Sequence, residues 1–343
     1  MTKRYLVTGA QGFVGRFLVA HLLAEDADAE ILGIGRSPAN DSHFTHHVRW
    51  GERTVPAPLP GSLINSHDGR YRYEIAELGD RAVVEEVLRS FCPDFIVHLA
   101  SGLRDDPAEQ LFRTNLEGTV HLIEAVAASK VPVQRIVFGS TGAIYGRSAL
   151  AGRLLDEATP CVPLDLYATS KLASEHASRI LTERHGVAAV WARIFNIVGP
   201  GQDERHFCGK IAAQISAIKC GISAATIEVG DLSPARDFID VRDVAAALSL
   251  LVRRAAPGTA YNVASGLETV MSQVLDMALD ISGLTGTVSI EHTYRRAADI
   301  PRAIADTARI RNLGFKPAFD LRRSLSDLID YYCVTVRSSA RGA

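Results

Sequence analysis

Two side chains four residues apart carry the clearest chemistry in this sequence: Tyr167 and Lys171, in the run Tyr167-Ala168-Thr169-Ser170-Lys171. On a helix, positions i and i+4 share a face, so a phenol and an ammonium stand side by side. A neighbouring cation favours the phenolate, which fits the tyrosine to pass a proton to or from a carbonyl or alcohol near neutral pH. The same spacing on a solvated helix face would mean nothing, so the pair needs company. Upstream, Phe138-Gly139-Ser140-Thr141-Gly142-Ala143-Ile144-Tyr145-Gly146 places two hydroxyls at the end of an apolar run. A hydroxyl there lies where a substrate oxygen would sit and can hydrogen-bond it as charge develops. One of Ser140 and Thr141 is expected to cap the turn instead.

A third cluster lies near the N-terminus. Gly9, Gly12 and Gly15, in Gly9-Ala10-Gln11-Gly12-Phe13-Val14-Gly15, are spaced GxxGxxG between the apolar run Tyr5-Leu6-Val7-Thr8 and a helical apolar pattern. Glycine permits a tight turn and a close approach of backbone to a pyrophosphate, while the helix N-terminus presents amide donors and a partial positive charge. A glycine pattern alone is weak, but a strand before it and a helix after it give it meaning. Dinucleotide folds usually carry an Asp or Glu for the adenosine ribose at the end of the second strand. Here that place reads Gly33-Ile34-Gly35-Arg36-Ser37, without a carboxylate, and Arg36 with Ser37 suits a 2′-phosphate. NADP is therefore the expected cofactor, with NAD second.

The elements that must position these groups follow from periodicity. Strands are predicted at Tyr5–Thr8, Glu30–Ile34, Tyr71–Ala76, Asp94–Leu99, Arg135–Phe138 and Val187–Ile194. Between them, helices are predicted over Gly12–Ala24, Asp80–Phe91 (closed by Pro93), Pro107–Ser129 and Asp165–His185 (ended by Gly186). Strands alternating with helices imply an α/β fold with a Rossmann-type, doubly wound parallel sheet. Past Asn196 the rhythm loosens, with helices near Gly209–Ala217 and Val241–Arg254. The expected organisation is a dinucleotide-binding domain over 1–195, with later strands from about 235–265 interleaved. A smaller α/β substrate-binding domain over 196–335 and a flexible tail over 336–343 complete it. The stretch Ser37–Gly69 is long for a connection; its His43, His46, His47 and His67 are read as surface residues, a functional loop being the lesser reading.

Bulk composition removes several function classes. With a net charge of −2, the chain offers no electrostatic case for nucleic acid or an anionic membrane. No apolar run approaches the ~20 residues that span a bilayer. The N-terminus runs into a buried strand and not a signal peptide. Five scattered cysteines without a CxxC pair fit incidental thiols in a reducing cytoplasm, and no metal site is expected.

Together these residues resemble the extended short-chain dehydrogenase/reductase family that acts on nucleotide sugars, over nearly the whole chain from Leu6 to about Tyr331. The TGAxGFxG turn is Thr8–Gly15, the HLA segment is His98-Leu99-Ala100, the NxxGT asparagine is Asn115, and the YxxxK pair is Tyr167 and Lys171. The resemblance implies catalysis by Thr141, Tyr167 and Lys171. It implies cofactor contacts from Gly9, Gln11, Gly12, Phe13, Val14 and Gly15, from Arg36 and Ser37, and from Glu77 and Leu78, Glu77 standing where Asp is commoner. Leu99, Ala100, Ser101, Asn115, Tyr167 and Lys171 would add to them. In the C-terminal half, Phe195-Asn196 resembles the FN pair, Arg236-Asp237-Phe238 the RDF motif, and Arg296-Ala297-Ala298-Asp299-Ile300 the R-x-x-[DE]-[VI] segment. Asn196, Arg236 and Arg296 would then bind the diphosphate of a nucleotide sugar, with Arg104 and Thr141 completing the substrate site. The resemblance also implies a homodimer through a four-helix bundle made by Pro107–Ser129 and Asp165–His185.

The residues after Thr141 separate branches of that family. Sugar-nucleotide dehydratases carry a carboxylate there to eliminate water, whereas this chain has Gly142-Ala143, so elimination has no proton carrier. The Cys of the epimerase-reductases that make GDP-fucose is also absent. The expected reaction is NADPH-dependent reduction of a C4 keto group on a nucleotide-linked 4-keto-6-deoxy sugar. The C-terminal half is most similar to the reductases of GDP-linked sugars, at Phe195–Gln202, Ile227–Asp231 and Tyr261–Gly266. An NAD-dependent 4-epimerase is the alternative; a non-catalytic dinucleotide sensor or scaffold is the third reading, against which the intact Thr–Tyr–Lys set argues.

Overall fold

The computed structural model describes residues 2–50, 53–64, 69–293 and 300–340. In chain order the strands of the first half are β1 (Lys3–Thr8), β2 (Ala29–Gly35), β3 (His43–Trp50), β4 (Arg53–Pro58), β5 (Tyr71–Ile75), β6 (Phe95–His98), β7 (Arg135–Thr141) and β8 (Ala189–Ile194). Their helices are α1 (Phe13–Glu25), α2 (Arg81–Phe91), α3 (Ala108–Phe112), α4 (Gly118–Ser129) and α5 (Leu166–His185). The second half adds β9 (Asn196–Val198), α6 (Phe207–Lys219), β10 (Thr226–Val229), β11 (Ala235–Arg236), β12 (Phe238–Asp240), α7 (Val241–Arg254) and β13 (Thr259–Val263). It ends with β14 (Thr269–Val270), α8 (Met271–Ser282), β15 (Ser289–His292), β16 (Arg302–Ala303), α9 (Ala308–Asn312) and α10 (Leu321–Ala340).

Seven strands form one parallel sheet in the order β13-β8-β7-β6-β1-β2-β5. Both faces of its inner strands are covered, which is why these read as near-continuous apolar runs. Successive residues point to opposite faces: Leu6, Leu32, Ile96 and Ile136 pack with Leu88 and Leu122 of α2 and α4. Tyr5, Val7, Ile31, Val97, Val137 and Val190 join the other core, with Leu18 of α1 and Leu248 of α7. Local chemistry sets the helix ends. The Asp80 and Asp165 side chains accept N–H groups of the first turns of α2 and α5, and Gly186 ends α5 in the left-handed region. Beyond β8 the chain returns to the sheet: α7 lies against α1 and β13 becomes an edge strand. The rest forms small sheets, β10 with β15, β9 with β12, and β11 between β14 and β16, while α10 packs on α6 and α8.

Three features differ from the sequence reading. The Ser37–Gly69 connection holds the antiparallel hairpin β3–β4, with Phe44, Val48 and Ala57 fully buried. Its alternation is masked by histidines in one strand and by Pro56 and Pro58 in the other, which an edge hairpin tolerates. His47 is exposed, but His43 and His46 are half-buried, and His67 lies outside the described residues. The expected long helix over Pro107–Ser129 contains a π-helical turn at Arg113–Glu117, a bulge frequent at functional sites. Finally, α10 continues to Ala340 where a frayed tail is expected from residue 336, because the first helix breaker is Gly342.

Candidate active site

The C-terminal ends of β1, β2, β6 and β7 open into a cleft of about 990 Å³, the place where ligands of open α/β sheets bind. Gly9, Gln11, Gly12, Phe13, Val14 and Gly15 form one wall. Gly9 has φ +71°, and a Cβ on it would stand 2.9 Å from the Ala100 amide nitrogen. A Cβ on Gly15 would stand 2.3 Å from the Gly9 carbonyl oxygen. The turn therefore closes only with glycine. Gly12 is the N-cap of α1 and no side chain caps the helix there, so a pyrophosphate meets no competitor for the first-turn amides. This close-packed cradle fits a dinucleotide.

Arg36 and Ser37 border the same cleft, Arg36 exposed, together with Glu77, Leu78, Leu99, Ala100 and Ser101. Their loop is tied down: the Gln11 Oε1 accepts from the Asn40 amide at 3.1 Å and from Asn40 Nδ2 at 2.8 Å, and Tyr73 Oη donates to the Ser37 carbonyl at 2.9 Å. Gln11 is thus a buried tie as well as a lining residue, a role that its place in the glycine run does not announce.

Thr141, Tyr167 and Lys171 converge on the cleft from β7 and α5. Thr141 Oγ1 accepts from the Ala143 amide at 3.2 Å, which leaves its own O–H free to donate. Ser140 points the other way and donates to Glu175 at 3.0 Å. Burial raises the pKa of Tyr167, against the opposing pull of the Arg104 guanidinium and of the Thr141 and Ser101 hydroxyls, so the phenol rests protonated. Burial pulls the Lys171 ammonium down to about 8, against the attraction of Glu175. The Arg104 guanidinium lies 5.5 Å from the Tyr167 ring centroid, within cation–π range, and is ion-paired with Asp165.

Beneath these residues lies a polar network that no motif revealed. Arg193 donates to Glu175 at 2.7 Å and to the Tyr145 hydroxyl at 3.1 Å, and Tyr145 donates to Asn262 at 2.7 Å. Burial would raise the pKa of Glu175, but Arg193 and Arg179 more than reverse this, and the carboxylate stays ionised. The network fixes the floor under Thr141 from β7, β8 and α5 at once. His98, pushed to about 3 by burial and by the charge of Lys171, is a neutral bridge between Thr8 and Thr119.

Asn115 departs from its expected placement as a cofactor contact. Its side chain is buried and does not border the cleft: Oδ1 accepts from the Gly102 amide at 2.8 Å and from Ser101 at 3.0 Å, and Nδ2 donates to Ser170 at 2.8 Å. The π turn swings it inward, where it locks the loop after β6 to the helix carrying Lys171. Arg104, Asn196 and Arg236 also border the cleft. Asn196 Nδ2 donates to the Asp237 carbonyl at 2.9 Å, and Asp237 in turn accepts from the Ser265 and Gly266 amides, both at 2.9 Å. Burial lifts Asp237 to about 6 despite those bonds. Arg296 lies outside the described residues. Thr45 and His46 of the hairpin also line the cleft, a contribution with no sequence signal beyond the histidines themselves. Among the described residues no cluster of three or more His, Cys, Asp or Glu could hold a metal, and no helix is long and apolar enough to cross a membrane.

Comparison with known proteins agrees with this geometry. The model of the NAD dependent epimerase/dehydratase family matches residues 5–264. The chain is 31% identical to the GDP-6-deoxy-D-mannose reductase of Pseudomonas aeruginosa, over 98% of this chain and 99% of that protein. It is 28% identical to the dTDP-6-deoxy-L-talose 4-dehydrogenase (NAD(P)(+)) of Kitasatospora kifunensis, over 82% and 80%. Among solved structures, that of RMD from Pseudomonas aeruginosa complexed with NADPH superposes with a TM-score of 0.79 at 28% identity, covering 97% of this chain and all of that one. The UDP-glucose 4-epimerase of Thermus thermophilus complexed with NAD gives a TM-score of 0.76 at 26% identity, with 96% and 98% covered.

Proposed function

The chain belongs to the NAD-dependent epimerase/dehydratase family and is an NAD(P)-dependent oxidoreductase acting on nucleotide sugars; within that frame we propose that it uses NADPH to reduce the C4 keto group of a GDP-linked 4-keto-6-deoxy sugar. The observation that carries this reading is the closed space beside Thr141. A Cβ on Gly142 would stand 2.9 Å from the Phe195 ring, and Ala143 follows it. No carboxylate follows Thr141 in the chain to eliminate water, so the hydroxyl, phenol and ammonium are left with plain carbonyl–alcohol chemistry.

The reduced nicotinamide, when bound, supplies hydride to the carbonyl carbon. Tyr167, resting protonated, gives its phenolic proton to the C4 oxygen, and Thr141 donates a hydrogen bond to the same oxygen as negative charge builds. Lys171 and Arg104 then stabilise the phenolate. Arg236 and Asn196, with Arg296, hold the sugar-nucleotide diphosphate, and Arg36 with Ser37 holds the 2′-phosphate of NADPH. The relatives named for GDP-6-deoxy-mannose reduction and crystallised with NADPH support the choice of base and cofactor. The homodimer belongs to the same proposal: α5 leaves Leu166 and Ile180 55% and 59% exposed, an apolar face for a second α4–α5 pair. Elution of the purified protein as a monomer under light scattering contradicts that part alone.

The test is one assay. Purified protein is expected to oxidise NADPH faster than NADH with GDP-4-keto-6-deoxy-mannose, with dTDP- and UDP-linked 4-keto sugars as comparisons. Faster turnover of a dTDP or UDP sugar corrects the base. Protein that carries bound NAD, consumes no reduced cofactor and interconverts two 4-hydroxy epimers is a 4-epimerase instead, and protein inert to every such sugar returns the sensor reading.

A further inference from the structure

The hairpin β3–β4 spans the gap between the two halves of the molecule. Its Thr45 amide donates to the Gln11 carbonyl of the glycine turn at 3.3 Å, and Phe44 meets Phe13 edge-on at 5.9 Å. On its other side, His46 Nε2 is 2.7 Å from the Gly201 carbonyl oxygen. Gly201 has φ +94°, and a Cβ there would stand 2.4 Å from the Phe44 ring. Further out, Tyr331 of α10 donates to the Pro58 carbonyl at 2.9 Å. A hairpin anchored on the glycine turn, on the loop after β9 and on α10 is built into the cleft wall.

We propose that this hairpin is the second wall of the dinucleotide site and that His46 takes up a proton from solvent when the pyrophosphate binds. The Gly201 carbonyl can only accept, so the neutral imidazole donates from Nε2 and leaves Nδ1 without a proton. In that form the ring has nothing to offer an anion. Once protonated, it keeps the Gly201 bond and gains an Nδ1–H and a positive charge on the cleft wall beside Phe13. The ring stacks on Phe44 at 5.2 Å and meets Phe13 edge-on at 6.4 Å, so the hairpin and α1 present only aromatic surface to it. The titratable groups that face it come from the loop leading into α6: Asp203 favours the cation, whereas Arg205 and His206 oppose it. Burial keeps the free ring neutral, and a dianionic pyrophosphate reverses the balance.

This inference rests on the dinucleotide reading, and the experiment separates the two. NADH is the cleaner probe, because without a 2′-phosphate it does not itself titrate between pH 6 and 8. Calorimetric titration of the wild type with NADH, in two buffers of different ionisation enthalpy, is expected to show net proton uptake and an affinity that falls as pH rises from 6 to 8. His46→Gln keeps a donor for the Gly201 carbonyl but cannot charge. It is expected to abolish the uptake and to weaken NADH and NADPH alike by about tenfold at pH 6, the worth of one charge-assisted hydrogen bond. Wild-type binding without proton uptake overturns the proposal even if the variant fails to fold. So does uptake that persists in His46→Gln, or a loss confined to NADPH. A wild type that binds neither dinucleotide overturns the cradle itself and the wall with it.

Discussion

The two walls of the cleft are made in different ways. One is the repeated product of a parallel sheet: β1, β2, β6 and β7 end together, and each delivers a short segment, the glycine turn, Arg36-Ser37, Leu99-Ala100-Ser101 and Thr141, to the same edge. The other is gathered from Thr45 and His46, Asn196, Asp203, Arg205, His206 and Arg236, which belong to a hairpin, one loop and two short strands. The first wall is held by backbone ladders and by glycines that admit no side chain. The second is held by side chains on carbonyls, such as His46 on Gly201, Asn196 on Asp237 and Tyr332 on Gln202. A wall built from periodic elements sets the chemistry, while a wall built from single contacts is free to set which ligand is accepted.

That contrast can be broken at several points. The largest effect is expected for Tyr167→Phe, which removes the proton donor from the first wall. Turnover is expected to fall about 10³-fold, within the span of general acid catalysis, with NADPH affinity by fluorescence titration unchanged; retained turnover removes Tyr167 from the proton transfer. Next comes Glu175→Ala, which leaves Arg193 buried without its carboxylate. A loss of about 4 kcal/mol in denaturant unfolding is expected, and a loss under about 1 kcal/mol would mean that the floor beneath Thr141 is not held by this pair.

Lys171→Met is expected to stabilise the fold by about 3 kcal/mol at pH 7 while slowing turnover less than Tyr167→Phe does. Burial holds the Lys171 ammonium at about 8, below its ordinary 10.5, so its charge opposes folding fully below pH 8. That penalty lifts as pH rises from 8 to 10.5, and the wild type should gain stability over that window while the variant does not. A variant less stable than the wild type at pH 7 contradicts the burial cost. The smallest effect is expected for Arg36→Ala: about tenfold weaker NADPH binding, one charge-assisted contact, with NADH binding unaffected. Equal loss for both dinucleotides would return Arg36 to an ordinary exposed residue.

Legibility followed the same divide. The inner strands of the sheet were readable because they are buried on both faces and read as apolar runs, and the helices because Asp80, Pro93, Asp165 and Gly186 mark their ends by local effects. Thr141, Tyr167 and Lys171 were readable because their spacing is tied to one strand end and one helix face. The hairpin was not, because His43, His46 and His47 hide the alternation of Phe44 and Val48, and only packing against Phe13 and Gly201 decides which histidine turns inward. Asn115 shows the limit from the other side. Its motif was visible, but a single π turn redirected the side chain from the cleft to Gly102 and Ser170.

The parallel sheet, the glycine cradle and the hydroxyl–phenol–ammonium set were all written in the chain, since they depend on periodicity, on φ and on spacing within a single element. Three other outcomes arose only on folding: Ser140 turns down to Glu175 while Thr141 faces the cleft, Phe195 fills the space beside Gly142, and His46 meets the glycine turn. Each of them depends on contacts between residues distant in the chain. Their partners are chosen by close packing and by the cost of leaving a buried polar group unpaired, neither of which is written in any one segment.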